Sequence, residues 1–242
     1  MPNPMSRASK RPSPRWRRRK EARPDEIVHA ALATFVERGY SATKLETIAR
    51  RAGISKGTMY LYFPSKEALF RAVVEHAMVP TVERGETIEA SFRGSSLDLL
   101  RSILLDWWDA IEGTSLPGLT KLMMSESGNF PEEAAYFLRR VVLRRRALLA
   151  RVLQRGIKRG EFRADLPLPH AVRLAVAPVL LASIWAHSFQ RGQRRDGADY
   201  RELVRLHTEV FLHGIERRRR AGAATGARKA APLVERRRGA AR

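Results

Sequence analysis

The stretch from Leu45 to Lys66 constrains this chain more than any other, because it reads as two short helices set at an angle by a glycine turn. Thr43 followed by Glu46 has the spacing of a capping box: the hydroxyl takes the backbone N–H three residues on, and the carboxylate reaches back to the N–H of the cap. Leu45, Ile48, Ala49 and Ala52 then fall on one helical face, with small residues where a second helix must approach closely. Gly53 ends this helix, since a residue without Cβ enters the left-handed conformation freely, and Ile54 folds back on the helix just closed. Ser55 supplies the next cap, and a helix over Lys56 to Tyr62 is predicted before Pro64 forbids continuation. Two helices joined in this way form the unit that lays its second member in a DNA major groove.

The second helix divides by face. Met59 and Phe63, four apart, continue the apolar contact begun by Ile54 and point inward. Lys56, Gly57 and Tyr60 then point outward, with Thr58, Leu61 and Tyr62 at the margins. A cation and a phenol suit base edges and phosphates, and a bare backbone allows close approach. Ser65 can cap the following helix, where Lys66 adds a point charge to an N-terminus that already favours anions, as a phosphate clamp would.

The run from Ile54 through Ser55, Lys56, Gly57, Thr58, Met59, Tyr60, Leu61, Tyr62, Phe63, Pro64, Ser65 and Lys66 to Phe70 resembles the recognition segment of the TetR family of bacterial transcriptional regulators. Upstream, Ile27 to Tyr40, followed by Ser41, Ala42 and Thr43, resembles that family's first helix and the turn into its second. The match covers roughly Pro24 to Phe70. It implies that Thr43 contacts DNA backbone, that Lys56, Gly57, Thr58 and Tyr60 face the groove, and that Tyr62 and Lys66 hold phosphates; Ser55 belongs to the same DNA-binding set. Beyond Phe70 it implies only a general architecture, an all-helical ligand-binding and dimerisation domain.

Charge is unevenly spread along the 242 residues. The formal net charge is +21, but residues 1–23 hold nine Lys or Arg against Glu21, and residues 217–242 hold ten against Glu235, so the two ends carry 17 of those charges. Both ends are expected to be disordered basic arms, since they cannot bury enough apolar surface to offset chain ordering. Between Asp25 and Phe70 six basic residues face five acidic ones, so reading DNA there rests on placement and not on bulk charge. The absence of cysteine excludes disulfides, thiolate catalysis and cysteine-ligated zinc, and fits a cytoplasmic location. The basic N-terminus lacks an apolar run after its charges and is expected to be neither signal nor anchor. Leu174 to Ala186, thirteen largely apolar residues, reads as a core helix too short to span a bilayer.

Pro24 with Asp25 and Glu26 marks a helix start, and Ile27, Val28, Ala31, Leu32 and Phe35 give that helix its buried stripe up to Gly39. A connecting helix over Ser65 to about Ser91 places Leu69, Val73, Met78 and Val82 inside and is interrupted or kinked at Pro80. Helical patterns follow over Leu97 to Glu112, Leu119 to Ser127, Glu132 to Arg159, Pro169 to Gln190 and Asp199 to Glu216; no segment alternates at period two. The aromatic and sulfur residues Trp107, Trp108, Met123, Met124, Phe130, Phe137, Trp185 and Phe189 are the candidates for a pocket taking a mostly uncharged small molecule. Ala171, Val172, Ala175, Val176, Val179 and Ser183, with Leu203, Leu206, Val210 and Phe211, are the candidates for a homodimer seam near residues 169–190 and 199–216. The arginines at 139, 140 and 144–146 read as the solvated face of a long helix, with an acidic ligand or a salt bridge between domains as the alternatives.

The sequence therefore predicts an all-α protein: a disordered arm over 1–23, a three-helix helix-turn-helix domain over 24–70, a helical ligand-binding and dimerisation domain over 71–216, and a disordered tail over 217–242. Its expected partners are a palindromic double-stranded DNA operator, a small-molecule inducer and a second copy of itself. No histidine-carboxylate spacing suggests a metal, no motif suggests a cofactor, and no catalytic constellation suggests an enzyme. The rival expectation is a structural protein coating DNA without sequence preference through its basic arms.

Overall fold

The computed structural model describes residues 14–189 and 198–217, with side chains from residue 24 onward. Among these the chain forms no strand, as the periodicity predicts, and eleven α-helices, the pattern expected over Glu132 to Arg159 being divided by a π turn; one antiparallel bridge joins Phe162 to Glu216. Residues 1–13 and 218–242, most of the two basic arms, and residues 190–197, between the last two helical patterns, lie outside the described residues.

Helix α1 (Pro14–Arg38) begins well before Pro24, so the part of the N-terminal arm from Pro14 onward is helical instead of disordered, and Pro24 sits inside a helix instead of opening one. Arg, Lys, Glu and Ala dominate Trp16 to Arg23, and these side chains lose little on entering a helix, whereas Pro24 removes a single backbone bond. Ile27, Val28, Ala31 and Phe35 are buried as expected, and Gly39 closes the helix at φ +82°. Helices α2 (Leu45–Arg51) and α3 (Lys56–Tyr62) follow, then α4 (Lys66–Val73).

Between α4 and α5 (Val79–Ser91) the chain widens into a π-helical turn over Val74–Met78, in which the Val79 N–H donates to the Val74 carbonyl. Pro80 explains the widening: its ring excludes the carbonyl four residues back, and a wider turn accommodates it. Helices α6 (Ser96–Ile111), α7 (Leu116–Glu126) and α8 (Pro131–Phe137) lead to a second π turn at Leu138–Leu143, packed against the first, and then α9 (Arg144–Lys158). Of the arginines read as solvated, Arg139 and Arg146 are exposed, but Arg140 in the second π turn and Arg144 in α9 reach the connecting helix, Arg140 pairing with Glu75 at 2.6 Å and Arg144 with Glu86 at 2.6 Å; Arg151 of α9 adds a pair with Glu89 at 2.5 Å. The Arg140 guanidinium, helped by the Tyr136 hydroxyl, holds the Glu75 carboxyl down to about 2, from an ordinary value of 4.5. Because the folded value is the lower one, the stability this pair contributes is complete above about pH 4.5 and lost as pH falls toward 2. Glu75→Gln is expected to flatten that part of the pH dependence of the thermal midpoint; an unchanged slope between pH 5 and 2 contradicts the assignment.

Helices α10 (Leu168–Phe189) and α11 (Tyr200–Ile215) complete the domain. Helix α10 outruns its thirteen-residue apolar stretch and, by length and composition alone, is long and apolar enough to cross a bilayer, yet one face packs on α6, α7, α9 and α11. That packed face holds Ala171, Val172, Ala175, Val179 and Ser183, the residues predicted for a dimer seam, so they are core and not seam. The opposite face leaves Leu174, Leu181, Trp185 and Phe189 exposed, beside Leu203, Leu206 and Val210 of α11. Small and β-branched residues let neighbouring helices of one chain approach closely, and the sequence pattern does not distinguish that from approach between chains.

A single apolar core runs from Ile27 and Phe35 through Leu69, Phe70 and Val73 to Trp108, Leu119 and Val204, crossing the position where the two domains were expected to divide. A second cluster, around Leu100, Leu149, Val152 and Phe162, fills the far end.

Candidate DNA-reading face and ligand cavity

The hinge between α2 and α3 is a left-handed helix stop. Gly53, at φ +65°, donates its N–H to the Arg50 carbonyl, and Ile54 donates to Ala49, the paired bonds of a Schellman motif. Ser55 caps α3 as expected, accepting the Thr58 N–H at 3.1 Å, a bond worth about 1 kcal/mol. The expected capping box at Thr43 does not form. Lys44 is the N-cap of α2 and offers no side-chain bond, while Thr43, 2% exposed, donates its hydroxyl to the Gly39 carbonyl at 2.6 Å. Thr43 thus locks the turn between α1 and α2 and holds no hydroxyl outward for DNA.

Met59 is fully buried under α3, and Phe63 is half-buried beside it, extended because Pro64 follows. The rest of the helix is set by that anchor. Lys56, Gly57 and Tyr60 are exposed; Thr58 and Tyr62 are half-exposed on the far flank. Leu61, expected at the margin, stands 79% exposed. At about 100° per residue, Leu61 and Gly57 each lie two residues from Met59 and share the point opposite it. Glu46, which no sequence signal marked as functional, reaches from α2 to the same surface: its carboxylate takes Lys56 Nζ at 2.8 Å and the Tyr60 hydroxyl at 3.4 Å. The Lys56 ammonium is the main cause of a lowered Glu46 carboxyl, and Glu46 in turn raises Lys56.

Lys66 does not project as a phosphate clamp. Its Nζ folds back to donate to the Tyr40 and Ser41 carbonyls at 3.0 and 3.4 Å, and lies 4.4 Å from the centre of the Tyr40 ring. From the other side, Glu126 at the end of α7 accepts the backbone N–H groups of Tyr40 and Ser41, each at 3.2 Å. Phe130 stacks edge-on against Tyr40 at 4.6 Å. Burial raises the Tyr40 phenol well above its ordinary range. The turn after α1 is thereby gripped by a carboxylate at the end of α7 and an aromatic ring just before α8. Gly39 makes the grip possible, because a Cβ there would meet the Glu126 carboxylate at 2.8 Å.

Helix α7 also borders a cavity of about 440 Å³, within the range of small-molecule sites. Ends of α6, α7, α10 and α11 converge on it through Trp108, Ile111, Pro117, Ser183, His187 and Tyr200. Trp108 is 2% exposed and its indole N–H has no partner among the described residues, a donor that an acceptor in the cavity would satisfy. Of the predicted ligand residues only Trp108 lines this space. Trp107 lies under the Arg145 guanidinium, 4.1 Å away, beside a crevice with room for about one water; Met123 and Phe137 are core, Met124 is exposed, Phe130 sits at the reader turn, and Trp185 pairs with Phe189 on the outer face of α10. Aromatic density in a sequence reports filled volume, whereas this cavity forms where helix ends meet at the Gly113 turn, φ +71°. Next to it Gly118 lets α7 pass between His187 and Val36 of α1; a Cβ there would stand 2.5 Å from both.

The model for bacterial regulatory proteins of the tetR family matches residues 27–73, and the model for the tetracyclin repressor-like C-terminal domain matches residues 93–188. The uncharacterized HTH-type transcriptional regulator YfiR of Bacillus subtilis is 29% identical over 157 residues, 62% of this chain and 72% of that one. The HTH-type transcriptional regulator RutR of Escherichia coli K12 is 47% identical over 57 residues, 24% of this chain and 27% of that one. Among solved structures, a SmeT–triclosan complex aligns with a TM-score of 0.69 at 23% identity, covering 88% of this chain and 100% of that one.

Proposed function

Because this chain belongs to the TetR family of bacterial regulatory proteins and is a ligand-responsive DNA-binding transcriptional regulator, we propose that it represses by holding a palindromic operator as a homodimer and releases it when a small, mostly apolar molecule fills the cavity beside Trp108. In this reading Ser55, Lys56, Gly57, Thr58, Tyr60 and Tyr62 meet the DNA, and Thr43 and Lys66 shape the turn behind them. The reader unit is residues 24–70, and the outer stripes of α10 and α11 pair with their copies in a four-helix bundle, setting two α3 helices about 34 to 36 Å apart, one turn of DNA. The triclosan carried by the SmeT complex is a molecule of the expected class, with an apolar aromatic body.

The observation that carries the proposal is the double role of α7, which borders the cavity near Pro117 and holds the reader turn through Glu126. A ligand that binds better when α7 is displaced must loosen that grip, and a differential affinity of about 1 to 3 kcal/mol gives a 5- to 150-fold change in operator binding. Purified protein is expected to select one operator from genomic fragments and to prefer it by about 10³-fold or more over random DNA at physiological salt. A ratio near one favours coating by the basic arms. Uncharged aromatic compounds that raise the thermal midpoint then provide the second measurement. Glu126→Ala is expected to bind them as the parent does, read by Trp108 fluorescence, while its operator affinity changes less than about twofold on adding them. Full release from the variant would show that α7 does not carry the signal.

A further inference from the structure

Two features of α3 have no purpose inside the chain. Leu61 is 79% exposed, more than any other large apolar side chain in the described residues, on a helix only seven residues long. Gly57, one turn before it on the same outward line, is not in the left-handed region, and a Cβ built there would meet no protein atom nearer than Ser55 Oγ at 3.9 Å. Glycine is the poorest helix former after proline, so a helix this short loses stability by carrying it where alanine fits. Both costs fall on the line directly opposite Met59, the buried anchor. Polar groups border that line: Lys56 and Tyr60 tied to Glu46 on one side, Thr58 and Tyr62 on the other.

We infer that Gly57 and Leu61 form an apolar notch that receives the 5-methyl group of a thymine in each operator half-site. A thymine methyl is the apolar group that base pairs present in the major groove, and a notch of bare backbone walled by a leucine fits it, whereas cytosine, with only a hydrogen at C5, leaves the notch unfilled. The polar border then falls on neighbouring base edges and phosphates, in continuity with the reading face. This assigns Leu61, and not only the charged and phenolic residues, a part in choosing the sequence. The inference rests on the regulator reading above, since it needs α3 in the groove.

The test uses the full chain and the operator it selects. Each thymine of the half-site is replaced in turn, on both halves, by uracil, which removes the methyl and leaves every hydrogen bond in place. One such replacement is expected to weaken the parent about 4-fold per half-site, about 15-fold for the palindrome, the worth of one buried methyl each. Leu61→Ala, an exposed truncation, is expected to bind the thymine operator about as weakly as the parent binds the uracil one, and to lose less than about twofold more when the methyl is removed. Gly57→Ala is expected to raise the thermal midpoint while weakening the thymine operator more than the uracil operator. The inference is overturned if no thymine shows a methyl effect, or if Leu61→Ala feels the methyl as strongly as the parent. Selection of no sequence at all overturns the regulator reading with it, so the two failures are told apart by the selection step.

Discussion

Leu181→Glu combined with Leu206→Glu is expected to leave a folded monomer that has lost about 10³-fold or more of its operator affinity. Both side chains are more than half exposed in the single chain, so the substitutions remove nothing from its core and helical content is preserved. They do place carboxylates in the stripe formed by Leu174, Leu181, Trp185 and Phe189 on α10 and by Leu203, Leu206 and Val210 on α11. An apolar patch of seven large side chains on adjacent helices has no stabilising use in a lone chain, and burying a charge against its own copy is costly. Without the partner each reader binds a half-site alone and the gain from tethering two is lost. Sedimentation of parent and variant checks the first step and operator titration the second. A variant that still sediments as a dimer places the seam elsewhere.

The second large effect is expected from Lys56→Ala with Tyr60→Ala. Four contacts disappear across two half-sites, and at about 1 kcal/mol each the loss is about 10³-fold in operator affinity. Neither side chain is buried, and removing both frees Glu46 at the surface, so the thermal midpoint stays near that of the parent. Lys66→Ala separates the two kinds of lysine: its ammonium holds the Tyr40 and Ser41 carbonyls, so the expected loss is stability of the reader turn along with operator affinity. Binding by the double variant within about threefold of the parent means that α3 is not what reads the DNA.

Local signals were legible wherever a few neighbouring residues decide the outcome. The stop at Gly53, the cap at Ser55 and the break at Pro64 all appear where the sequence predicts them, because each depends on one residue's φ, donor or hydroxyl. Thr43 shows where such reading stops. It has the spacing of a cap, but the carbonyl of Gly39 offers its hydroxyl a bond first. Lys66 is the same case at longer range, since its charge is taken up by the turn between α1 and α2 before DNA is present. Pro24 erred in the other direction, as favourable neighbours carried the helix through it.

From the chain of amino acids alone follow the all-helical class, the two-helix reader with Met59 beneath and Lys56 and Tyr60 above, and the concentration of positive charge at both ends. These are properties of spacing and local chemistry. Which face of α10 turns inward, where the cavity opens, and how Glu126 comes to hold a turn 85 residues away were decided only by the tertiary structure. The reason is that helical periodicity shows that a face is apolar without naming its partner, and a cavity is defined by where helices fail to meet, which no single helix encodes.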